Sequence, residues 1–125
     1  MGTVHTVVEL LDMVPTALEL VGVPVPAAVQ GRSLVPALRG DRLDRLEIAL
    51  TEHEHWTSVR SASHHYVVHA DGTERLWDLD QDPTEHRDLV PSGGLLVERE
   101  LARHRHLLLR RQLKARRGLP RSFPY

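Results

Sequence analysis

The chain has 125 residues, 41% hydrophobic and 26% charged, with a formal net charge of −1, which suits one modest globular core. It has no cysteine, which excludes a disulfide framework, a thiolate zinc site and a cysteine nucleophile. No apolar run approaches a membrane span, and the opening MGTVHTVVELLDMV has no basic leader or small-residue cleavage site, so the expected location is cytoplasmic by default.

The charges are unevenly spread. Residues 1–98 hold 7 Arg and 16 Asp or Glu, a balance of −9, whereas residues 99–125 hold 9 Lys or Arg and one acid, Glu100, a balance of +8. An acidic body with a basic tail reads as self-complementary, the tail packing on the body. Nucleic-acid binding is the competing reading. It is disfavoured because no aromatic residue interleaves the cations before Phe123.

In chain order, residues 6–22 read as a strand or turn leading into a short helix over Thr16–Val21, with Pro15 in its first turn, Val14 pushed out of helical geometry and Gly22 as the stop. Ser33 caps a second short helix carrying Leu34, Val35 and Leu38, which Gly40 ends. Residues 47–51 and 57–61 read as strands. The runs 64–70 and 73–79 flank Asp71-Gly72, a strong hairpin signal. A two-residue loop would set His69 opposite Glu74, Tyr66 opposite Trp77 and His65 opposite Asp78, giving one face two His–carboxylate pairs. Asp82-Pro83-Thr84-Glu85 has the form of a capping box opening a short helix. Ser92-Gly93-Gly94 is a flexible joint before a helix over 95–117. That helix carries one apolar stripe at Val97, Leu101, His104 and Leu108, and a second at Leu95, Ala102, Leu109 and Leu113. Two stripes imply contact on two sides. Gly118 and Pro120 end the helix before a tail. The fold class is α+β: an antiparallel sheet of about four strands with a long C-terminal helix packed on it, preceded by short helices.

Four segments of this chain, in order, resemble the sulfatase family. Leu76-Trp77-Asp78-Leu79 with Asp82-Pro83-Thr84-Glu85 and Asp88-Leu89 is similar to the family's Leu-Tyr-Asp-Leu, Asp-Pro-x-Glu and Asn-Leu pattern near its C-terminus. Trp77 stands in place of Tyr and Asp88 in place of Asn. Asp12 with Pro15-Thr16, Gly31-Arg32-Ser33-Leu34 through Gly40, and Val59-Arg60 with His65-Tyr66 resemble three further family segments, His65 standing where Lys is usual. The resemblance covers residues 6–90 and implies an alkaline phosphatase-like architecture. Residues 1–45 would be the end of a large α/β domain, 46–91 an antiparallel-sheet subdomain, 92–117 its helix and 118–125 a tail.

The resemblance also implies chemistry that this chain does not carry. The family's nucleophile is a formylglycine made in a Cys/Ser-x-Pro-x-Arg motif, and a divalent cation, usually calcium, polarises the sulfate. No serine here begins such a motif, and the metal-binding Asp pair is missing. Catalytic residues, metal ligands and cofactors within the chain are therefore expected to be none. The expected partner is the N-terminal catalytic domain, with a sulfate ester substrate only in the full-length context and neither nucleic acid nor membrane. The expected role is structural support plus a substrate-pocket rim at His53, His55 and Trp56 in Glu52-His53-Glu54-His55-Trp56. The bland alternative for that run is a solvated loop anchored by Trp56. The alternative for the whole chain is a stand-alone binding module with the same fold.

Nine histidines invite a metal site, His53 and His55 sharing one strand face and His65 and His69 another. The spacing matches no ligand signature, so cross-strand pairing of His69 and His65 with Glu74 and Asp78 is the expectation. Ser-His-Asp catalysis is disfavoured because no nucleophile elbow is present.

Overall fold

A computed structural model of the protein describes residues 3, 5–43 and 47–117. The ends expected at Gly118 and Pro120, and the tail, lie outside the described residues. The chain divides into two compact units, Met1–Ala49 and Leu50–Tyr125.

In the first unit a 3-10 turn over Leu10–Asp12 runs directly into helix α1 (Met13–Leu20), and α2 (Val35–Leu38) follows. Helix α1 begins three residues earlier than the sequence suggests, and Val14 is helical although Pro15 follows it. A first-turn proline loses nothing, because its N–H would have no intrahelical acceptor. The anchor is Asp12, which is fully buried. Its carboxylate accepts the Glu9 N–H at 3.0 Å and the Arg32 N–H at 2.9 Å, while the Thr16 hydroxyl donates to its carbonyl and accepts the Leu34 N–H at 2.9 Å. Gly31 passes so close that a Cβ there would lie 2.4 Å from the Leu11 carbonyl oxygen, and its φ of +96° excludes most side chains as well. The family-like Asp and Gly are therefore one device: the glycine lets the second segment approach, and the aspartate ties it to α1.

The second unit is the antiparallel sheet with its helix. Strands β1 (Ala49–His53), β2 (Trp56–Arg60), β3 (His64–His69) and β4 (Glu74–Asp78) lie in sequence order. The β3–β4 pairing differs from expectation by one residue. Tyr66 faces Leu76, His65 faces Trp77 and His64 faces Asp78. The loop has three residues, Ala70-Asp71-Gly72, because His69 N–H donates to Thr73 O at 2.9 Å and Gly72 N–H to His69 O at 2.9 Å. Gly72, at φ +86°, takes the left-handed position that follows a type I turn in such loops. The Asp71 carboxylate holds the Thr73 N–H at 2.8 Å. A one-residue shift of pairing changes every facing pair, so the expected His–carboxylate pairs do not form.

In the observed register Val59, Tyr66 and Leu76 form one row across three strands, and all three are buried. Helix α3 (Leu95–Arg117) packs on that row through Leu101, His104 and Leu107. The first apolar stripe thus faces the sheet. Leu95, Leu109 and Leu113 of the second are exposed. Arg105 forks onto the Glu74 carboxylate, which also accepts the Tyr66 hydroxyl. This pair joins the basic helix to the acidic body, as the charge asymmetry suggests. The Arg105 hydrogen bonds hold Glu74 below the usual carboxylate range, whereas burial, followed by Glu74, pushes the Tyr66 phenol up.

His104 lies at the centre of this interface with no exposed surface. Its Nδ1 donates to the Glu100 carbonyl at 2.8 Å, and its Nε2 lies 3.1 Å from the Ser61 hydroxyl, which also donates to the His64 carbonyl at 3.1 Å. Full burial favours the neutral ring. Burial lowers its pKa from the ordinary 6.5, the backbone bond to Glu100 opposing. Below the unfolded value the unfolded chain binds the extra proton first. The helix-on-sheet packing is therefore fully stabilised above about pH 6.5 and loses stability as pH falls toward and through the lower folded value. Melting temperature is expected to drop between about pH 7.5 and about pH 5, and His104→Leu is expected to flatten that part of the profile while lowering stability at neutral pH. An unchanged pH dependence in the variant would remove His104 as its source.

Candidate functional site

Two groups of polar residues stand out in the second unit. The first is the β1–β2 turn. The strands end at His53 and restart at Trp56, leaving only Glu54 and His55 in the turn. His53 and His55 therefore do not alternate along one strand as expected. A turn separates them, and their rings meet edge to face at 5.9 Å. The His53 ring stacks on Trp56 at 5.3 Å with an interplanar angle of 14°. The His55 N–H points at His53 Nδ1 at 3.4 Å. Both histidines are exposed and Trp56 is half-buried. The tight turn thus gathers an aromatic plane and two imidazoles into one exposed patch, which can stack on a ring and donate hydrogen bonds to oxyanions.

The second group lies on the sheet face opposite α3. Ser58 Oγ and His65 Nε2 are 2.6 Å apart, and His65 Nδ1 is 2.8 Å from a Glu85 carboxylate oxygen. Arg60 donates to the other Glu85 oxygen at 2.8 Å. His65 also packs on Trp77, ring centres 5.4 Å apart. The row has the order of a Ser-His-Glu triad but not its setting. Ser58 is buried in the middle of β2, which is paired on both sides by β1 and β3. Its neighbouring N–H groups are spent on the sheet, so no oxyanion hole can form beside it. The row clamps the segment after β4 to the sheet.

That clamp explains the family-like run. No helix forms at Asp82, and the capping box is not made. Glu85 adopts φ +57°, a conformation that ends any helix and is rare for a side chain with a Cβ. Its carboxylate goes to His65 and Arg60 instead of a cap amide. The other acids of the run are also structural. Asp78 accepts the N–H groups of Asp80 and Gln81 at 2.9 and 3.1 Å. Asp82 accepts the Arg87 N–H at 2.8 Å. Asp88 accepts the Leu76 N–H at 3.1 Å, and Leu89 N–H donates to Leu76 O at 2.8 Å, so residues 88–89 cover the free edge of β4. An Asn at 88 would offer the same acceptor oxygen, which accounts for the interchange. Sequence reasoning missed the Ser58–His65–Glu85 row; the usable signal was His65 in place of the usual lysine, still a partner for an acid. Among the described residues, no group of three or more His, Asp or Glu is placed to hold a metal ion.

The helix-backed antiparallel sheet and the short helical unit before it in sequence superpose on part of a solved sulfatase. The chain belongs to the family described as N-sulphoglucosamine sulphohydrolase, C-terminal, whose model matches residues 1–104. It is 33% identical over 108 residues to the Delta 4,5-hexuronate-2-O-sulfatase of Bacteroides thetaiotaomicron, covering 78% of this chain and 22% of that protein. It is 33% identical over 99 residues to arylsulfatase K of Xenopus laevis, covering 66% of this chain and 18% of that protein. The solved structure of a 2-O GAG sulfatase superposes on it with a TM-score of 0.68 at 30% identity, covering 87% of this chain and 26% of that one. The chain thus spans about a fifth of the length of these two relatives.

Glu85 is the residue on which the clamp turns. Burial opposes its ionisation, but the hydrogen bonds and charges of His65 and Arg60 prevail and hold its pKa below 4.5. Its contribution is present above about pH 4.5 and is lost as pH falls through the folded value. Glu85→Gln is expected to lower the unfolding free energy by about 1–2 kcal/mol at neutral pH. The loss should shrink below about pH 4.5, where the wild-type carboxyl is itself protonated. Urea titrations of both proteins at neutral and acid pH check this; equal stability at neutral pH would contradict the clamp.

Proposed function

We propose that this chain acts as the C-terminal portion of a sulfuric ester hydrolase, supporting a catalytic part that lies N-terminal to it and lending His53, His55 and Trp56 to the rim of the substrate pocket. One observation carries this reading: residues 1–104 match the family's C-terminal model, while the chain has no Cys/Ser-x-Pro-x-Arg motif. The surface of the first unit supports it. Leu10, Met13, Leu20 and Val21 are each more than 60% exposed and lie close together in sequence, more apolar surface than a free-standing unit normally presents. Within that unit, Arg32 donates through Nη2 to the Val7 carbonyl at 3.1 Å, but its buried Nε and Nη1 have no partner among the described residues. Buried donors without acceptors are costly, and an N-terminal part of the same protein would supply them.

The residues present do not fit the family's cofactors. No thiol or motif serine is available for formylglycine, and among the described residues no group of three or more His, Asp or Glu is placed to hold a metal ion. The divalent cation and the nucleophile therefore belong to the catalytic part. On this reading the chain's own chemistry is recognition at the rim: Trp56 and the stacked His53 offer a flat surface to a sugar ring, and His55 offers a donor to an anionic substituent.

The genomic sequence upstream of the Met1 codon tests the reading. An open frame continuing through a Cys/Ser-x-Pro-x-Arg motif is expected. An immediate in-frame stop with a ribosome-binding site would overturn it in favour of a stand-alone module. In the joined protein, Trp56→Ala and His53→Ala are expected to raise KM for a sulfated saccharide about tenfold with little change in kcat, the pattern of lost uniform binding. An unchanged KM would reduce the turn to a solvated loop.

A further inference from the structure

Helix α3 has a second organised face. Leu95, Arg99, Ala102, His106, Leu109 and Leu113 follow one another in steps of four, three, four, three and four residues, and all six are exposed. These are the steps of a coiled-coil seam, the positions that one helix turns toward another. At 3.6 residues per turn the seam runs along the side of α3 opposite Leu101, His104 and Leu107, which pack on the sheet. Leu95 is 80% exposed, Leu109 54% and Leu113 49%. The outer side of a surface helix is ordinarily polar, so a leucine seam there calls for a cover.

Shape and charge select that cover. Ala102 lies between Leu95 and Leu109, about 10.5 Å from each along the axis. The small residue leaves a hole that a partner side chain can enter as a knob. A lipid surface has no knob to insert, and the helix from Leu95 to Arg117 has no Phe, Tyr or Trp to sit at a membrane interface. Arg99 is part of the seam, Arg103 stands beside it and Arg116 continues it one step past Leu113, all three exposed. Their stems extend the apolar surface while the charged heads reach its rim. Arg103 meets Glu100 only at 3.4 Å, an exposed pair, which is weak. Glu100 turns toward the sheet side, 3.8 Å from His64 and 3.7 Å from His104. Among the described residues of α3, Glu98 is then the only acid beside the seam. A second copy of this chain would set arginine against arginine. A helix with leucine in its seam and Asp or Glu on its flanks meets both requirements.

The family match ends at residue 104, so His106, Leu109 and Leu113 lie beyond it. A contact shared across the family would not need them. We propose that the outer seam of α3 docks an acidic amphipathic helix of a separate protein, not the catalytic part, with the carboxylates of that helix against Arg99, Arg103 and Arg116. The surface and its occupant go beyond the sulfatase reading and do not rest on it.

The probe is a fluorescent synthetic helix with leucine at its a and d positions and glutamate at e and g. It is titrated with the full 125-residue chain and followed by anisotropy. Wild type is expected to bind, and Leu109→Gln, Leu113→Gln to bind at least about tenfold more weakly. Leu10→Gln, Leu20→Gln removes two exposed leucines from the first unit and is expected to bind as wild type does. All four leucines are exposed, so melting temperatures are expected to stay unchanged and weaker binding to reflect the lost contact. The same peptide with lysine in place of glutamate is expected not to bind. Failure of wild type to bind, equal weakening in both variants, or equal affinity for the lysine peptide would overturn the proposal. So would a dimer in sedimentation equilibrium that the seam variant abolishes, which gives the seam to a second copy. Binding to phosphatidylserine vesicles that the seam variant loses would overturn it in favour of a membrane. None of these readouts involves turnover or sequence upstream of Met1, so their failure leaves the sulfatase reading standing, and failure of that reading leaves the seam standing.

Discussion

The register of the β3–β4 hairpin decides which side of the sheet every informative side chain occupies. With three residues in the loop, Tyr66 stands opposite Leu76 and both turn toward α3. His64 and Glu74 share that face, and His65 and Trp77 take the other. Had the loop held two residues, His65 would oppose Asp78, and the carboxylates of β4 would lie among the wrong partners. Gly72 at positive φ and the Asp71 side chain on the Thr73 amide choose between these outcomes. The buried row under α3 and the Ser58–His65–Glu85 clamp both follow from that choice.

The two faces then divide the work. One packs on α3, where His104 bridges Ser61 and the Glu100 carbonyl and Arg105 and Tyr66 share Glu74. The other carries an ionic clamp that draws the segment after β4 back over the sheet. The acids of the most family-like stretch end in turns, on a strand edge or in the clamp. The stretch is informative about family because it is demanding architecture. Chemistry is a separate matter, and on the proposed reading it enters only at the β1–β2 turn.

Much of this was legible in the residues. Asp71-Gly72 marked the hairpin, the 3.6-residue stripe through Leu101 and His104 marked the face of α3 that meets the sheet, and the excess of arginine after residue 98 suggested a basic segment packing on an acidic body, although Glu74 was expected to pair with His69 and pairs with Arg105 instead. The failures have physical causes. An Asp-Gly pair serves a two-residue type I′ turn and a three-residue loop alike, so composition alone could not choose the register. Asp82-Pro83-Thr84-Glu85 has the local form of a capping box, but tertiary partners 20 and 25 residues away outbid the local amide for the Glu85 carboxylate. The helical start before Pro15 was hidden because Asp12 is organised by Arg32, twenty residues on. Long-range ties of this kind leave no periodic trace.

On the proposed reading this chain supports and recognises, while cleavage belongs to a catalytic part N-terminal to it. The most direct test of that reading is sulfate release from an aryl sulfate ester by the purified chain, with calcium present. The account predicts no release above the uncatalysed background. Release that rises in proportion to the concentration of the chain would contradict it.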